Sequence, residues 1–411
     1  MNNEYDSHSL SFEDALQRIV AAVKPLTAQR CVSLREALDG ITAQDVRAPM
    51  NVPPFVNSAM DGYAINSADI PASGESRLKI LGKSFAGKPF AGNIKPGECV
   101  RIMTGAVVPD GADTIIMQEH AKVDGDHIVI SPSHKKGQHV RHPGDDFKTG
   151  GIIIQAGERL TPSKLGVLAS VGVTELQILR KPVVAFFSTG DELKGVGQTL
   201  KPGDIYDSNR YILYGMLKKL GVDYLDMGVI ADVKTDIEQA LQQAAACADV
   251  IITSGGASVG EADFINQILD DIGEVNFWKI AMKPGKPLAF GKIGDKLFFG
   301  LPGNPVSAMA TFYLFVQPAL RLLEGEKPDA AIQLKARTTS LLKKQPGRKD
   351  FQRGILHVNN QGELQVDSTG TQGSHMLTSM AKANCFIVLP RDAGNIEAGS
   401  EVDVLLFNGL I

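Results

Sequence analysis

One segment, ADVIITSGGASVGEAD at positions 248–263, constrains the fold more than any other stretch of the chain. Its first part, Val250–Thr253, is a continuous apolar and β-branched run, which is typical of a strand buried on both faces of a parallel α/β sheet. A glycine-rich turn and a helix start follow, a combination found both at anion sites and in ordinary tight turns. The candidate ligand contacts in this segment are Ser254, Gly255, Gly256, Ser258 and Asp263.

Strands and helices alternate around that segment from Lys181 onward. This alternation predicts right-handed βαβ crossovers and therefore a doubly wound α/β sheet. The predicted strands are Pro182–Phe187, Tyr224–Ile230 and Val250–Thr253, and the predicted helices are Asn209–Leu220, Lys234–Ala246, one ending near Ile272, and a long apolar one from about Pro305 to Leu323.

The sequence patterns before and after this α/β region are different. Near the N-terminus, Ser-x-x-acid patterns at Ser11 and Ser33 predict two helices, and residues 51–64 predict an irregular loop. The turn-rich stretch from Arg77 to Ile130 predicts a small inserted β domain, and the β-like runs after Ala331 predict a barrel-like C-terminal β domain. The fold class is therefore multidomain, α/β plus β, with a helical N-terminal part.

Composition narrows the functional class. The net charge over 411 residues is -4, so nucleic acid is not an expected partner. The cysteines lie far apart with no CxxC, which predicts reduced thiols rather than a disulfide framework or a zinc site. The N-terminus has no basic and apolar leader, and we expect no membrane-spanning segment, so a cytoplasmic protein without a membrane partner is predicted.

Acidic loops follow three successive predicted strands. They carry Asp191 and Glu192, then Asp232, then Asp263. Because the carboxyl ends of parallel strands share one edge of the sheet, these carboxylates would repel one another unless a cation joined them. Mg²⁺ is the natural candidate, because it binds carboxylate and water oxygens and bridges to substrate phosphates. The alternative is that the acids only cap helices and turns.

A basic loop follows the acidic segments. Lys279, Lys283 and Lys286 lie in WKIAMKPGKP, where a Pro-Gly pair fixes the loop that carries the last two. Lysines facing a Mg²⁺ site can neutralise a diphosphate or an oxyanion, although a lysine run is more often a solvated face. A second strand-to-helix turn of the anion-binding kind, LPGNP, contains Pro302, Asn304 and Pro305.

Motifs of several common enzyme classes are absent from the sequence. There is no GxxxxGK[ST] and no GxGxxG, so neither P-loop chemistry nor a dinucleotide fold is supported. GxSxG and HExxH are also missing. The anion-binding features therefore have to be explained by another kind of site.

With these residues in hand, the chain resembles the molybdopterin molybdenumtransferases, the MoeA and gephyrin E-domain family. The motifs that carry the resemblance run in family order over nearly the whole chain: NSAMDGYA (57–64), RIMTGA (101–106), RHPGDD (141–146), FSTGDEL (187–193), YDSN (206–209), SGGASVGEADF (254–264), KPGKP (283–287), LPGNPVSA (301–308) and QGSH (372–375). The resemblance implies four domains, namely an N-terminal part at 1–50 with 147–179, an inserted β domain at 51–146, a molybdopterin-binding α/β domain at 180–326, and a C-terminal β domain at 327–411.

The reaction implied by the resemblance converts adenylylated molybdopterin and molybdate into molybdenum cofactor and AMP, with Mg²⁺ required. The implied catalytic residues are Asp61, Asp146, Glu192, Asp232, Asp263 and Lys279, of which Glu192, Asp232 and Asp263 would bind the metal. The implied binding residues are Thr104, Ser188, Thr189, Gly190, Asp207, Ser254, Gly255, Gly256, Ser258, Lys283, Lys286, Pro302, Asn304, Pro305, Arg353 and Ser374. Within that set, the residues implied for molybdate are Lys283, Lys286, Arg353 and Ser374.

The family also implies an elongated homodimer. Asp61, Thr104 and Asp146 would then reach the site from the inserted domain of the partner subunit. A molybdopterin adenylyltransferase and molybdoenzyme apoproteins are further partners to consider. Two other functions stay open, a molybdopterin adenylyltransferase, which resembles only the α/β domain, and a non-catalytic scaffold of the gephyrin type.

Overall fold

The computed structural model describes residues 9–255, 264–326 and 332–407. Three predicted site residues, Gly256, Ser258 and Asp263, lie outside the described residues. The described chain folds into two compact units. The first unit contains the chain up to Arg30, Asp39–Ile41 and the chain from Leu179 on, and the second contains Cys31–Leu38 and Thr42–Ile178. The division into four domains stays a prediction.

Six strands of the first unit form one mixed sheet. In spatial order they are Asp223–Ile230, Val183–Thr189, Val250–Ser254, Lys296–Leu301, Pro287–Ile293 and Gly273–Lys279. The first four strands pair in parallel, and the fifth pairs antiparallel with both the fourth and the sixth. The parallel part confirms the doubly wound sheet, and the antiparallel pair, for which the sequence analysis assigned no strands, extends it at one edge.

Helices cover both faces of this sheet because its central strands are apolar on both sides. Val184 and Phe186 face one core, and Ala185 and Phe187 face the other. The α-helices of the first unit are Phe12–Ala22, Ser208–Leu220, Lys234–Cys247, Phe264–Ile272, Pro305–Thr311, Gln317–Leu323 and Leu377–Lys382. A π-helical turn, Phe312–Val316, joins two of them into one continuous stretch.

The continuous stretch Pro305–Leu323 bears on the expectation that no segment spans a membrane. By length and composition it could cross one. However, 67% of its most apolar part is buried inside the protein. The stretch packs against the sheet and against Phe12–Ala22, where the Phe12 and Phe315 rings lie 5.2 Å apart, as a core helix does.

The C-terminal strands close into a barrel that belongs to the first unit. The strands are Lys349–Val358, Leu364–Ser368, Gln333–Thr338, Glu401–Leu406 and Cys385–Leu389, and the last pairs back with the first. A two-residue strand, Met282–Lys283, adds to the barrel by pairing in parallel with Lys349 and Asp350. The predicted barrel-like architecture of the C-terminal region is confirmed, and the added strand connects the KPGKP loop to it.

The second unit is built on another six-stranded sheet, which agrees with the β structure predicted for Arg77 to Ile130 and adds a strand before it. Its strands, in spatial order, are Thr114–Met117, Gly62–Ile65, Glu98–Ile102, Ser76–Ser84, His127–Ile130 and Lys122–Asp124. Its α-helix is Pro162–Ser170, with short 3-10 turns at Ser67–Asp69 and Gln118–His120. Short paired strands elsewhere in the chain are Gln29–Ser33 with Glu175–Leu179, Val46–Arg47 with Ile152–Ile154, Asn57–Ser58 with Val140–Arg141, and Leu193–Lys194 with Ile205–Tyr206.

Two local predictions near the N-terminus are wrong. No helix starts at Ser33, although the Glu36 N–H donates to Ser33 Oγ at 3.4 Å and the Ser33 N–H donates to Glu36 Oε2 at 3.2 Å, as in a capping box. The chain enters this turn from a strand and leaves it at Asp39 with a φ of 61°, so only one turn forms. The predicted loop at 51–64 contains the start of a buried strand, Gly62–Ile65, because residues 62–65 pair on both sides within the sheet.

Candidate functional site

A cluster of buried polar side chains lies where two central parallel strands of the first unit end. Ser188 and Ser254 are register partners at those strand ends. Beside them the helix Ser208–Leu220 begins, capped by Asp207, whose Oδ1 accepts the Arg210 N–H at 3.1 Å. Asn209 in the first turn donates its amide to Ser254 Oγ and to the Gly303 carbonyl, both at 2.7 Å. We define Ser188, Asp207, Asn209 and Ser254 as the recess.

Three buried polar atoms of the recess have no hydrogen-bond partner within the part of the chain that the structure describes. They are Ser188 Oγ, Asp207 Oδ2 and Asn209 Oδ1. These residues are 0%, 3% and 7% exposed, so water does not solvate them freely. A buried polar group without a partner costs roughly 1–3 kcal/mol, which proteins normally tolerate only where a ligand or another group satisfies it. The recess is therefore a candidate ligand-binding site.

The backbone beside the recess packs closely against the neighbouring strand. Gly255 has a φ of +94°, and a Cβ at this position would lie 2.8 Å from the Thr189 carbonyl oxygen. Only glycine fits both restrictions. The predicted binding residues Thr189 and Gly190 end the neighbouring strand and start the loop that follows it, so they lie next to the recess along the chain.

An acidic edge forms where the strands Val183–Thr189 and Asp223–Ile230 end side by side. We define it as Asp191, Glu192 and Asp232. The Asp232 N–H donates to Asp191 Oδ1 at 3.2 Å, so the two loops touch. Burial raises the pKa of Asp232, and repulsion from Asp191 and Glu192 raises it further. Two of the three predicted acidic loops are thus brought together, while Asp263 on the third lies outside the described residues.

The acidic edge has the oxygen donors of a metal site but not, among the described residues, a complete ligand set. Among the described residues, no group of three or more His, Cys, Asp or Glu side chains is arranged to hold a metal ion. Burial, and after it repulsion from Asp191 and Glu192, disfavours the charge of Asp232, and carboxylate oxygens are the ligands that Mg²⁺ prefers. The donor chemistry of the acidic edge therefore fits Mg²⁺.

A basic cleft of about 990 Å³ lies between the KPGKP loop and the C-terminal barrel, all within the first unit. Its basic lining residues are Lys283, Lys286, Lys343 and Arg348, and its polar ones include Asn304, Ser307 and Ser374. Four predicted binding residues, Lys283, Lys286, Asn304 and Ser374, are therefore brought into one cleft. The positive lining suits an anion, as the lysine loop predicted.

The KPGKP wall of the cleft is held by tight packing. Lys283 is fixed by strand pairing with the barrel. Gly285 has a φ of +98°, and a Cβ there would lie 2.9 Å from Thr311 Oγ1 and 3.3 Å from the Met282 Cε atom. The glycine therefore lets the loop pack directly on the helix Pro305–Thr311, which positions the lysines on either side of it.

The barrel wall of the cleft is fixed by a buried lysine. Lys344 is 6% exposed, and its Nζ donates to the carbonyl oxygens of Gln345, Arg391 and Ala393 at 3.0–3.2 Å. Burial lowers the pKa of Lys344. Because Lys344 anchors its loop inward, the same loop presents Lys343 to the cleft.

A buried carboxylate lies beneath the basic side chains. Asp350 is 4% exposed and is the register partner of Lys283. Burial raises the pKa of Asp350, while attraction to Lys283, Lys344 and Arg348 lowers it, and burial is the larger effect. Asp350 is therefore a buried carboxylate whose charge is favoured by three neighbouring cations.

The third wall, the loop of residues 368–374, is supported by Arg353. This guanidinium is 1% exposed and donates to the Gly373 carbonyl at 3.0 Å and to Ser379 Oγ at 3.1 Å. Burial lowers its pKa to about 10. Arg353 does not line the cleft, whereas Ser374 at the end of the supported loop does. The structure thus gives Arg353 a positioning role behind the wall, and its predicted contact with molybdate stays a prediction.

In the second unit, Asp61 and Thr104 are brought together. Asp61 Oδ1 accepts the Thr104 N–H at 2.7 Å and the Thr104 hydroxyl at 2.8 Å. These hydrogen bonds hold the pKa of Asp61 below its usual range. Asp146 has an exposed side chain, and its N–H donates to the Val52 carbonyl at 2.9 Å.

The remaining predicted residues have less specific places. Lys279 ends the strand Gly273–Lys279 with an exposed side chain and is not among the residues that line the cleft. Pro302 is buried in the turn after Leu301, and Pro305 is the first residue of the following helix. These two prolines shape the turn that carries Gly303 and Asn304.

Three candidate binding residues escaped sequence reasoning. Asn209 had a signal, because it belongs to the YDSN motif and follows an N-cap at the functional edge of the sheet. Lys343 and Arg348 had none, because they lie far from KPGKP in sequence and reach the cleft only through the pairing of Met282–Lys283 with the barrel.

A doubly wound domain with a buried polar recess, an acidic edge and a basic cleft defines a protein that binds a polar, anionic ligand. Three family models match the chain: MoeA N-terminal region (domain I and II) at residues 10–172, probable molybdopterin binding domain at 185–322, and MoeA C-terminal region (domain IV) at 335–407. Relatives of similar sequence align with this chain over nearly its whole length.

A protein of Haemophilus influenzae named molybdopterin molybdenumtransferase is 45% identical over 404 residues, which are 98% of this chain and 100% of that protein. A protein of the same name from Nostoc sp. is 34% identical over 96% of this chain and 93% of its own length. The crystal structure of the molybdopterin biosynthesis moeA protein from Pyrococcus horikoshii OT3 superposes with a TM-score of 0.85 at 27% identity, covering 97% of this chain and 100% of that one. The chain belongs to the MoeA family.

Proposed function

We propose that this chain is the enzyme that inserts molybdenum in molybdenum cofactor biosynthesis, a molybdopterin molybdenumtransferase. Adenylylated molybdopterin and molybdate are its substrates, and molybdenum cofactor and AMP are its products. Membership of the MoeA family and the full-length relatives that carry this name support the proposal. The site geometry supports it independently.

The observation that carries the proposal is that one short turn serves both the recess and the basic cleft. The Gly303 carbonyl accepts from Asn209 in the recess, and the next residue, Asn304, lines the cleft. A pterin bound in the recess is therefore one residue away from a cleft suited to a tetrahedral dianion. A site that holds two reactants side by side in this way accelerates their reaction through proximity and orientation.

The basic cleft is the proposed molybdate site. Lys283 and Lys286 supply positive charge and N–H donors, and Ser374 on the opposite loop supplies a hydroxyl. Lys343 and Arg348 add charge from the barrel wall. Arg353 acts in this proposal by holding the loop that carries Ser374.

Mg²⁺ is the proposed cofactor at the acidic edge. Glu192 and Asp232 would hold it together with Asp263. When bound, Mg²⁺ would polarise the phosphate groups and neutralise charge that develops on them. The protein's own part is to orient the phosphoanhydride between pterin and adenylate so that a water molecule can cleave it and release AMP.

We also propose a homodimer, supported by exposed large hydrophobic residues at the outer edge of the first unit's sheet. Tyr224 and Leu225 on the outer strand Asp223–Ile230, and Tyr211 and Tyr214 on the helix Ser208–Leu220, are each at least 36% exposed. Within the described chain this strand pairs on one side only. A second copy is a fitting cover for such an edge. Asp61, Thr104 and Asp146 would then act on the site of the other subunit.

Compartment and delivery partners belong to the same proposal. The four cysteines are free thiols, which suits a reducing compartment such as the cytoplasm. A molybdopterin adenylyltransferase would supply the adenylylated substrate, and molybdoenzyme apoproteins would accept the product. Neither nucleic acid nor a membrane has a role.

The decisive experiment incubates the pure protein with adenylylated molybdopterin and follows AMP. We expect AMP release that requires both molybdate and Mg²⁺. AMP release of equal rate without molybdate would contradict the proposal. Rapid pyrophosphate release from ATP and molybdopterin would instead identify an adenylyltransferase.

The variant Asp61→Asn tests the second unit's part. The amide keeps the shape of the side chain but removes the charge that Thr104 stabilises. We expect molybdate-dependent AMP release to fall by about tenfold or more. Unchanged release would remove Asp61 from the site, while the assignment of the first unit would stand.

A further inference from the structure

Arg101 lies close to Asp61 in the sheet of the second unit. It belongs to the motif RIMTGA (101–106), in which the family resemblance implied a role for Thr104 alone. Its register partner on the neighbouring strand is Tyr63, two residues after Asp61. The Arg101 Cζ atom lies 5.0 Å from the centroid of the Tyr63 ring, which is buried. Because a cation is attracted to an aromatic face, the ring holds the guanidinium in one place.

The Arg101 guanidinium binds the backbone that carries the Asp61 side chain. Its Nη1 donates to the Gly62 carbonyl at 3.0 Å, and its Nη2 donates to Gln118 Oε1. Gln118 in turn donates its backbone N–H to the Asp61 carbonyl at 3.1 Å. The carbonyl oxygens of Asp61 and Gly62 are therefore both connected to one guanidinium. Because the arginine fork is planar and rigid, it restrains both carbonyls at once.

The glycine after Asp61 explains why this backbone needs support. A Cβ at position 62 would collide with the Ile116 carbonyl oxygen, so the close approach of the two strands requires glycine. Glycine loses more conformational freedom on folding than any other residue. Asp61 is thus joined to the sheet through its least restricted neighbour, and the hydrogen bond from Arg101 to Gly62 adds a restraint there.

Arg101 also acts on the Asp61 carboxylate through its charge. Two hydrogen bonds from Thr104 are the main reason that the pKa of Asp61 is below its usual range, and attraction to Arg101 lowers this pKa further. The pKa of Glu119 is lowered first by a hydrogen bond from Gln118, and attraction to Arg101 lowers it as well. Thr104 therefore binds the Asp61 carboxylate, while Arg101 supports the backbone behind it.

We propose that Arg101 is a positioning residue for Asp61 in the reaction that releases AMP. Its guanidinium, held on the Tyr63 ring, restrains the backbone at positions 61 and 62, so the carboxylate keeps the orientation in which Thr104 binds it. The inference rests on the proposed function, which gives Asp61 its part in the reaction. It implies that the planar shape of the guanidinium matters as well as its charge.

The test compares Arg101→Met with Arg101→Lys by molybdate-dependent AMP release from adenylylated molybdopterin. We expect Arg101→Met to lower kcat by about tenfold, because the Asp61 carboxylate is no longer held in place. The KM for molybdate should not change, since the proposed molybdate cleft lies in the first unit. Arg101→Lys keeps the charge but not the fork, so its kcat should stay within about threefold of that of Arg101→Met. A wild-type kcat in Arg101→Lys would show that charge alone matters and would overturn the inference.

A double-mutant cycle shows whether Arg101 acts through Asp61. In the Asp61→Asn background, Arg101→Met should lower kcat by less than about twofold, because the carboxylate that it positions is already gone. Additive losses would mean that Arg101 acts independently of Asp61 and would overturn the inference.

The pH dependence of kcat gives a second measure of the same coupling. Loss of the cation in Arg101→Met raises the pKa of Asp61, so the carboxylate is protonated at a higher pH as the pH falls. The acidic limb of the pH–rate profile should therefore move to higher pH. An acidic limb at the wild-type position would show that the loss of rate does not pass through Asp61.

Gln118→Ala guards against a folding defect in the arginine variants. Gln118 is exposed, and the change removes the Oε1 atom that binds Arg101 but keeps the backbone N–H that binds Asp61. We expect kcat to fall by about threefold with an unchanged melting temperature. An unchanged kcat would leave the network a purely structural role and overturn the inference.

The matched control is Arg77→Met on the adjacent strand of the same sheet. It removes an exposed arginine paired with Asp124 at 3.0 Å and should keep the wild-type kcat. If it loses as much activity as Arg101→Met, general surface charge explains the effect and the inference fails. The proposed function fails separately, if the wild type releases AMP without any dependence on molybdate.

Discussion

The acidic edge and the basic cleft belong to the same unit, but the charged groups that surround a carboxylate differ in sign between them. At the acidic edge, Asp232 has a raised pKa because burial and the neighbouring carboxylates disfavour its charge. In the basic cleft, burial also raises the pKa of Asp350, but the charged groups around it are cations, Lys283, Lys344 and Arg348, which lower that pKa. The charged groups that shift the pKa of Asp232 are thus carboxylates, whereas most of those that shift the pKa of Asp350 are cations. This difference indicates two separate sites with opposite ligands rather than one internally paired network.

The largest effect is expected from Lys283→Gln in the basic cleft. Strand pairing fixes Lys283 at the cleft wall, so its loss removes a positioned charge that flexible neighbours cannot replace. Charge-assisted hydrogen bonds contribute about 1.5–3 kcal/mol, so the Kd for molybdate should rise by roughly 10- to 100-fold. Calorimetric titration with molybdate measures it.

The control for Lys283→Gln is Lys335→Gln, which removes a barrel lysine paired with Asp403 at 2.7 Å outside the cleft. It should leave molybdate affinity unchanged. If both variants lose affinity equally, general surface charge rather than a built cleft binds the oxyanion, and the comparison between the two regions fails.

Arg353→Met separates a supporting role from a direct one. Removing the guanidinium leaves the Gly373 carbonyl and the Ser379 hydroxyl without their buried donor. We expect the free energy of unfolding to fall by about 3 kcal/mol and the KM for molybdate to rise roughly tenfold as the loop loosens. Urea unfolding and AMP release measure the two effects.

The exposed Arg337→Met on the same barrel serves as the comparison and should change neither quantity. The contact that the family resemblance implied for Arg353 makes a different prediction. It would give loss of molybdate binding with unchanged stability, and that pattern would move Arg353 from the support of the cleft into its lining.

Asp232→Asn examines the acidic edge through pH and Mg²⁺. The raised pKa means that the folded state binds this proton more tightly than the unfolded chain, so the carboxylate costs stability once the pH rises through that pKa. The variant should therefore melt at a higher temperature than the wild type at neutral pH without metal. It should also lose about tenfold in Mg²⁺ affinity, because one carboxylate ligand is gone.

The two measurements on Asp232→Asn are thermal unfolding with and without Mg²⁺ and the Mg²⁺ dependence of AMP release. In the wild type, Mg²⁺ activation should weaken as the pH falls through the raised pKa, because protonated Asp232 cannot bind the cation. Equal Mg²⁺ responses in variant and wild type would remove Asp232 from the cation site.

The smallest effect is expected from Gly285→Ala. The methyl group of the alanine would press against Thr311 Oγ1, and the alanine backbone would be strained at the positive φ of this position. The loop must therefore shift. We expect about 1–2 kcal/mol of destabilisation and roughly a twofold rise in the KM for molybdate. Gly362→Ala has a similar positive φ of +84° but nothing within 4 Å, so it should show the backbone cost without the change in KM.

Much of the architecture could be predicted because it follows local rules. The buried run at Val250–Thr253, the cap and glycine that bound Ser208–Leu220, and the alternation around them all specify the parallel sheet. The acidic edge could also be predicted, since neighbouring parallel strands must end together. The failure at Ser33 shows the limit of such rules, because its capping hydrogen bonds form without a helix.

The cleft could be predicted only on one wall. The lysines and the Pro-Gly pair of KPGKP predict an anion-binding loop from the sequence. Lys343 and Arg348 lie in a distant loop that has no such pattern. Burial of Arg353 was equally hidden, because a charged residue in a strand gives no sequence signal that it faces inward. Long-range pairing and burial, not local pattern, decide these positions.

The most direct test of the account measures molybdate and Mg²⁺ binding to the same two variants, Lys283→Gln and Asp232→Asn. If the basic cleft and the acidic edge are separate sites, Lys283→Gln loses molybdate affinity and keeps the Mg²⁺-induced rise in melting temperature. Asp232→Asn then shows the reverse. Loss of both ligands in either variant would show that anion and cation share one site and would contradict the account.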